Sequence, residues 1–332
     1  MLRFPGFIDI CTDVPAGCWS AYSEAAVRGG YTALLAAPNV NEVYTRKEDA
    51  AKALEEAESD SACDYAKLAV ITPENIRSIG EWASEVPAAL VDFSLLSSFG
   101  AFSRMNMLSR LFHNWPAEKP ICVRGSEDQV GSAIFMGQTQ GRRVHVCSAS
   151  TQAEMELIAE AREADLPVTC DVNPLALLFS TETANTPKLL SKLGNEEDRR
   201  ALWQHLDLID CFSSAGFTGP RGISSDSLSM TLPLLLSMYN AKMLTAEDIT
   251  ARCCVNPAKI FGIALDESTV IEVDETKAAA GSKSRDYVQK VTLRGQMIYS
   301  AADETPSAAR CAARVKGIGV CSTFPTRITT RR

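Results

Sequence analysis

The chain has 332 residues, 46% hydrophobic and 22% charged, enough to bury a sizeable core. That balance excludes disorder, collagen-like repeats and a coiled coil; a formal net charge of −8 argues against a nucleic-acid partner, because no broad basic face can neutralise phosphates. No apolar stretch reaches the ~20 residues of a bilayer span, and Met1-Leu2-Arg3 runs straight into a strand-like segment, so no membrane partner and a cytoplasmic location are expected.

Short apolar runs alternate with helical patterns eight times. The strand candidates are 7–12, 32–37, 66–72, 88–94, 121–125, 143–148, 168–172 and 208–213, most of them near-continuous apolar runs of the kind covered on both faces in a parallel sheet. Between them, 45–58 is rich in Ala, Glu and Lys, and 151–163 carries Met155, Ile158 and Ala159 at helical spacing. Thr151 with Glu154 forms a capping-box pattern, Pro73-Glu74 predicts a helix start, and Pro120 and Pro167 stand just before strands. Eight such units predict an α/β protein with a (β/α)8 TIM barrel. The rival, a doubly wound open sheet, lacks its G-x-G-x-x-G fingerprint here.

Helical patterns at 230–240, 246–252 and 258–262 follow the eighth strand, and strand patterns at 270–273, 287–293 and 297–299 come next, with Arg294-Gly295 as a turn. The chain thus divides into a barrel over 1–263, a small C-terminal β addition over 264–300 and a linker-like or disordered tail over 301–332, with a mobile loop expected over 276–286.

Eleven cysteines include no C-x-x-C pair. Cys122, Cys147, Cys170 and Cys211 lie inside apolar runs and read as small core hydrophobes, and the adjacent Cys253-Cys254 is poor geometry for a bridge or a zinc site. Three histidines occur: His145 lies mid-strand and reads as a hydrogen-bonded core residue, while His113 and His205 read as surface or packing residues.

In a barrel, chemistry sits at the C-terminal strand ends. Those ends here hold Cys11, Thr12 and Asp13, then Asn39, Asp92, Arg124, Ser148, Asn173, and Ser214-Ala215-Gly216. No histidine stands among them to bind a metal or act as a base. Cys11-x-Asp13 could be a relic metal site but lacks third and fourth ligands, and Ser213-Ser214 has no histidine to activate it. Asn39 either contacts a ligand or makes turn chemistry after Pro38.

The opening Phe4-Pro5-Gly6-Phe7-Ile8-Asp9, followed by Cys11 and Asp13, resembles the P-G-x-I-D-x-H-x-H start of the amidohydrolase barrels. More narrowly, Ala37-Pro38-Asn39, Arg143-Val144-His145-Val146-Cys147, Leu166-Pro167-Val168-Thr169-Cys170, Leu208-Ile209-Asp210-Cys211-Phe212, Leu232-Pro233-Leu234-Leu235-Leu236 and Val291-Thr292-Leu293-Arg294-Gly295 resemble the dihydroorotase domain of the animal multifunctional pyrimidine protein. The similarity runs in order from about Phe4 to Tyr299.

The resemblance implies which positions once carried chemistry, and nearly all have changed. The two metal-binding histidines fall on Cys11 and Asp13, and the substrate-gripping arginine on Pro15. The carboxylated lysine that bridges two zinc ions falls on Asp92, with no lysine between Lys67 and Lys119. Two further ligand histidines fall on Arg124 and Ser148, and the catalytic aspartate and its histidine neighbour on Ala215 and Gly216. Only Asn39, a substrate-contacting position in the family, is retained. Arg124 puts a permanent cation where the zinc would sit, and an ion pair with Asp13 or Asp92 is the expected replacement.

The sequence therefore predicts a pseudoenzyme resembling the inactive dihydroorotase-like domain of the fungal multifunctional pyrimidine-biosynthesis protein, with no catalytic residues, metal or cofactor. Its expected role is a spacer and oligomerisation scaffold between carbamoyl phosphate synthetase and aspartate transcarbamoylase domains of the same polypeptide. A homodimer is expected, with Trp203 and the apolar run 232–238 as either its anchors or plain core. Two alternatives are a ligand-sensing barrel using the pocket near Asn39, and an amidohydrolase with an unorthodox metal site.

Overall fold

A computed structural model describes residues 1–37, 46–183, 192–215, 225–277 and 287–302. Most of the expected loop over 276–286, most of the tail, Asn39 and Gly216 lie outside the described residues.

The chain begins with β1 (Leu2–Pro5) and β2 (Phe7–Asp13), followed by α1 (Trp19–Arg28), β3 (Tyr31–Ala37), α2 (Lys47–Asp60), β4 (Asp64–Lys67) and β5 (Ala69–Val70). It continues through β6 (Ala89–Asp92), α3 (Ala101–Asn114), β7 (Ile121–Arg124), α4 (Glu127–Gln140), β8 (Val144–Val146), α5 (Gln152–Glu163) and β9 (Val168–Val172). Then come α6 (Pro174–Leu178), α7 (Glu196–Gln204), β10 (Cys211–Phe212), α8 (Asp226–Asn240), α9 (Ala246–Thr250) and α10 (Asn256–Phe261). β11 (Val270–Val273), β12 (Val288–Leu293) and β13 (Gln296–Ser300) close the described order.

Strands β2 to β10 make parallel ladders in sequence order, β2-β3-β4 and β5 through β10. The two ladders are one third barrel strand changing partners at Leu68: the Leu68 amide donates to the Ala36 carbonyl at 2.9 Å, and the Ala69 amide to Ala88 at 3.0 Å. Alternation along the strands splits the core in two. Ile8, Ile10, Ala33, Leu35, Leu68, Val70, Leu90, Cys122 and Cys147 form an inner cluster with Ile260 and Phe261 from α10, while Phe7, Leu34, Ala36, Val91 and Val123 pack outward under the helices. This is the filled interior of a barrel, not a pore.

Between β10 and β2 no ladder is present among the described residues, and Asp9 makes the join. Its carboxylate accepts from the Ser214 amide at 2.8 Å and the Ser214 hydroxyl at 2.6 Å, and from the Thr12 hydroxyl as well. Nearby, the fully buried Arg252 donates to the carbonyls of Ile209 at 3.0 Å and Leu206 at 2.8 Å and to Asp248 at 2.8 Å, pinning the helical end of the chain beneath β10.

The β addition contains one strand more than the sequence pattern suggested. β1 pairs antiparallel with β11, giving a four-stranded sheet β1-β11-β12-β13 that takes Leu2–Pro5 from the start of the chain. A cavity of about 440 Å³ lies between this sheet and the N-terminal strand ends, lined by Phe4, Ile8, Cys254, Leu265 and Arg294 among others.

One expectation is corrected and one open choice is decided. Pro73-Glu74 opens turns and a short 3-10 segment at Ile79–Trp82 rather than an α-helix. The cause is Asn75, whose side chain accepts from the Thr72 amide at 2.8 Å and donates to the Val70 carbonyl at 2.8 Å, competing locally with helix propagation. The run 232–238 is core: Leu232, Leu235 and Leu236 are fully buried and Met238 nearly so, while the Trp203 indole donates to the Leu177 carbonyl at 2.8 Å. Neither supplies a free aromatic or aliphatic anchor. The exposed large side chains include Phe102 on α3 and Phe135 on α4, 84% and 59% exposed.

Candidate functional site

The C-terminal strand ends converge on Arg124, the last residue of β7. Its Nη1 lies 3.0 Å from Asp13 Oδ1 at the end of β2 and 3.7 Å from Asp92 Oδ2 at the end of β6, and its Nη2 donates to the Cys11 carbonyl at 2.7 Å. Asp92 also accepts from the Ser94 amide at 2.9 Å and hydroxyl at 2.6 Å. Both expected partners of Arg124 are thus present at once.

The electrostatics follow from this crowding. Burial works against the Arg124 charge, yet Asp13, the neighbouring sulfurs of Cys11 and Cys147, and Asp92 outweigh it and hold the guanidinium protonated. Burial pushes the Asp13 carboxyl above its usual range, with Arg124 pulling it back.

Cys11 owes its position to a bulge. The β2–β3 register slips between Ile10 and Thr12, leaving Cys11 unpaired at φ 58°, a left-handed conformation that costs a non-glycine residue about 1–2 kcal/mol. The bulge re-aims its side chain into the barrel, where Cys11 Sγ lies 3.2 Å from Cys147 Sγ. Cys122 joins them, and all three sulfurs fall within 4.8 Å of one another. Hydrogen bonds with Cys122 and Cys147 draw the Cys11 thiol well below its ordinary value, burial pushes the Cys122 thiol up, and hydrogen bonds with Cys11 and Cys122 push the Cys147 thiol up.

The remaining candidate positions are less engaged. Ser148, at φ 54° directly after Cys147, buries a hydroxyl with no hydrogen-bond partner among the described residues. Ala215 is buried in the same inner cluster as Cys11 and Cys147, and its carbonyl accepts from Asn173 Nδ2 at 3.1 Å. Pro15 sits in a turn, its carbonyl accepting from Cys18 at 3.2 Å. His145 is a core residue held at both ring nitrogens, 2.9 Å from Thr169 Oγ1 and 3.2 Å from Asp171 Oδ2. Asp171 takes a further hydrogen bond from the Ser213 hydroxyl.

Comparison with known proteins gives this geometry its context. No family model matches the chain. It is 29% identical over 340 residues to the multifunctional protein CAD of Squalus acanthias, covering 90% of this chain and 15% of that protein. With the multifunctional protein pyrABCN of Emericella nidulans the identity is 28% over 326 residues, 92% of this chain and 14% of that protein. The chain therefore spans about one seventh of the length of these curated relatives. Among solved structures, the inactive dihydroorotase-like domain of a Chaetomium thermophilum CAD-like multifunctional protein superposes with a TM-score of 0.78 at 23% identity, covering 95% of this chain and 99% of that one.

The chain shares the fold of that dihydroorotase-like domain. A D-hydantoinase shares the fold at a TM-score of 0.73 and 15% identity over 95% of this chain and 88% of that one.

Zinc is the metal that the resemblance to dihydroorotases implies, and this barrel does not present residues fit to hold the expected pair. Where ligands would converge, the Arg124 guanidinium is bonded to Asp13 and to the Cys11 carbonyl, so the nearest carboxylates already neutralise a fixed cation. A bound metal would supply the activated water that attacks an amide carbonyl at neutral pH. A guanidinium with five donors and no acceptor can neither bind a metal nor take a proton. The three-thiol cluster was missed by reading each cysteine in its own strand; its members are up to 136 residues apart and only barrel closure brings them together.

Proposed function

We propose that this dihydroorotase-like barrel carries no dihydroorotase activity and acts as a structural spacer and oligomerisation scaffold within a multifunctional pyrimidine-biosynthesis polypeptide. Its neighbours would be carbamoyl phosphate synthetase and aspartate transcarbamoylase domains. The observation that carries the reading is Arg124, fixed by Asp13, Asp92 and the Cys11 carbonyl where metal chemistry would have to occur. The similarity to multifunctional proteins over 90% and 92% of the chain supports the setting.

The test is interconversion of dihydroorotate and carbamoyl aspartate by the isolated chain with added zinc. No turnover above background is expected, nor in Cys11→His or Ala215→Asp, because metal ligands act as a set. Turnover that rises with zinc in the unaltered chain or in either single variant would overturn the reading. The scaffold role further expects a homodimer burying more than ~1,000 Å². With 232–238 in the core, Phe102 and Phe135 on the outer helices are the anchors it would use.

A further inference from the structure

Three thiols meet in the inner core just beneath Arg124. Cys11 comes from the bulge of β2, Cys122 from mid-β7 and Cys147 from just past the end of β8, and all three residues are buried. Their sulfurs lie within 4.8 Å of one another, the Cys11–Cys147 pair at 3.2 Å. Three sulfurs around one ion at a metal–sulfur distance of about 2.3 Å stand about 4 Å apart, so small side-chain rotations convert the observed triangle into a coordination triangle.

The cluster differs from the zinc arrangement this fold implies. Cys122 stands two residues before Arg124 and Cys147 one before Ser148, so two of the three donors come from positions deeper in the barrel. All three are soft sulfur donors. His145 and Asp171 lie within 4.8 Å of the Cys147 sulfur, but both His145 ring nitrogens are engaged, by Thr169 and Asp171, so a fourth ligand from this side would cost one of those hydrogen bonds. Zinc closes structural sites with four ligands, whereas a monovalent thiophilic d10 ion is satisfied by three thiolates. Three thiolates on a monovalent ion carry two net negative charges. Arg124, whose Nη2 lies 2.7 Å from the Cys11 carbonyl, is a cation beside them, shared with Asp13 and Asp92.

We infer that Cys11, Cys122 and Cys147 form a three-coordinate binding site for a soft monovalent metal ion of the cuprous type, seated under the Arg124 ion pair. The site does not depend on the scaffold reading, since it rests on the three buried sulfurs alone.

The test is an anaerobic titration of the full chain with cuprous ion against a chromophoric cuprous chelator. One equivalent is expected to be retained, and X-ray absorption on that sample should show a first shell of three sulfurs at about 2.3 Å. Cys122→Ser and Cys147→Ser should each weaken retention at least about tenfold. Cys170→Ser, whose sulfur instead faces the Leu208 carbonyl at 3.4 Å, should leave it unchanged. Retention no better than that of the triple serine variant, or a shell dominated by nitrogen or oxygen, would overturn the proposal. The absorption measurement needs no variant, so misfolding of a serine variant cannot rescue it. Dihydroorotase assays on the same loaded sample report separately on the scaffold reading.

Discussion

The interior seam of the barrel and its rim bury carboxylates by opposite means. At the seam, Asp9 and Asp171 are held by neutral hydroxyls and an imidazole: Thr12 and Ser214 on Asp9, Ser213 and His145 on Asp171. At the rim, Asp13 and Asp92 face a full positive charge on Arg124. Hydrogen bonds to neutral groups leave a buried carboxyl free to take up a proton, whereas a fixed cation holds charge in place. Burial lifts both the Asp9 and the Asp13 carboxyls above their usual range, Asp9 against hydrogen bonds from Ser214 and Thr12 and Asp13 against the pull of Arg124.

That contrast is broken most directly at the rim. Arg124→Met should cost about 3 kcal/mol in denaturant unfolding, because two partly buried carboxylates lose their cation. Adding Asp13→Asn should recover much of the loss. An additive or worse double variant would show that Arg124 acts through packing and not through charge.

At the seam, burial lifts the Asp9 carboxyl to about 6 in the folded chain. In the unfolded chain it titrates near ~4, so between those values the folded state binds the extra proton and stability falls as pH rises. The two-unit difference is worth about 3 kcal/mol at most, present at low pH and lost by pH ~7. In Asp9→Asn that part of the slope should vanish while the Ser214 amide keeps its acceptor. Equal slopes in the two proteins, measured by denaturation from pH 4 to 7, would refute it.

A smaller effect separates seam from ladder. Ser214→Ala removes the hydroxyl bond to Asp9 but spares the amide bond, so about 1 kcal/mol is expected. Smallest for stability is Phe102→Ser with Phe135→Ser, within about 0.5 kcal/mol by unfolding at exposed positions. Light scattering should nevertheless register a shift from dimer to monomer, and an unchanged assembly would remove these residues as anchors.

Legibility in the sequence followed the same division. All eight barrel strands could be read because each is an apolar run with turn or helix chemistry at its borders. β1 escaped because Leu2–Pro5 is four residues long and runs into β2 through Gly6 with no polar break. The helix expected from Pro73 failed to a side-chain contact at Asn75 that no periodicity encodes. The Arg124–Asp13 pair was legible because the resemblance aligned both positions to one metal centre. The thiol triangle was not, because Cys11 meets Cys147 only through a one-residue bulge, and a register slip leaves no trace in composition.

The antiparallel order β1-β11-β12-β13 has a mechanical consequence. Leu2 pairs with Val273, Val273 with Val288 and Lys290 with Ser300, so Leu2 and Ser300 emerge at the same end of the sheet on its two outer strands. Three strand spacings separate them, ~14 Å. Tension applied at those two points would run across the sheet and peel its hydrogen bonds one after another, and the barrel would stay slack until the sheet had opened.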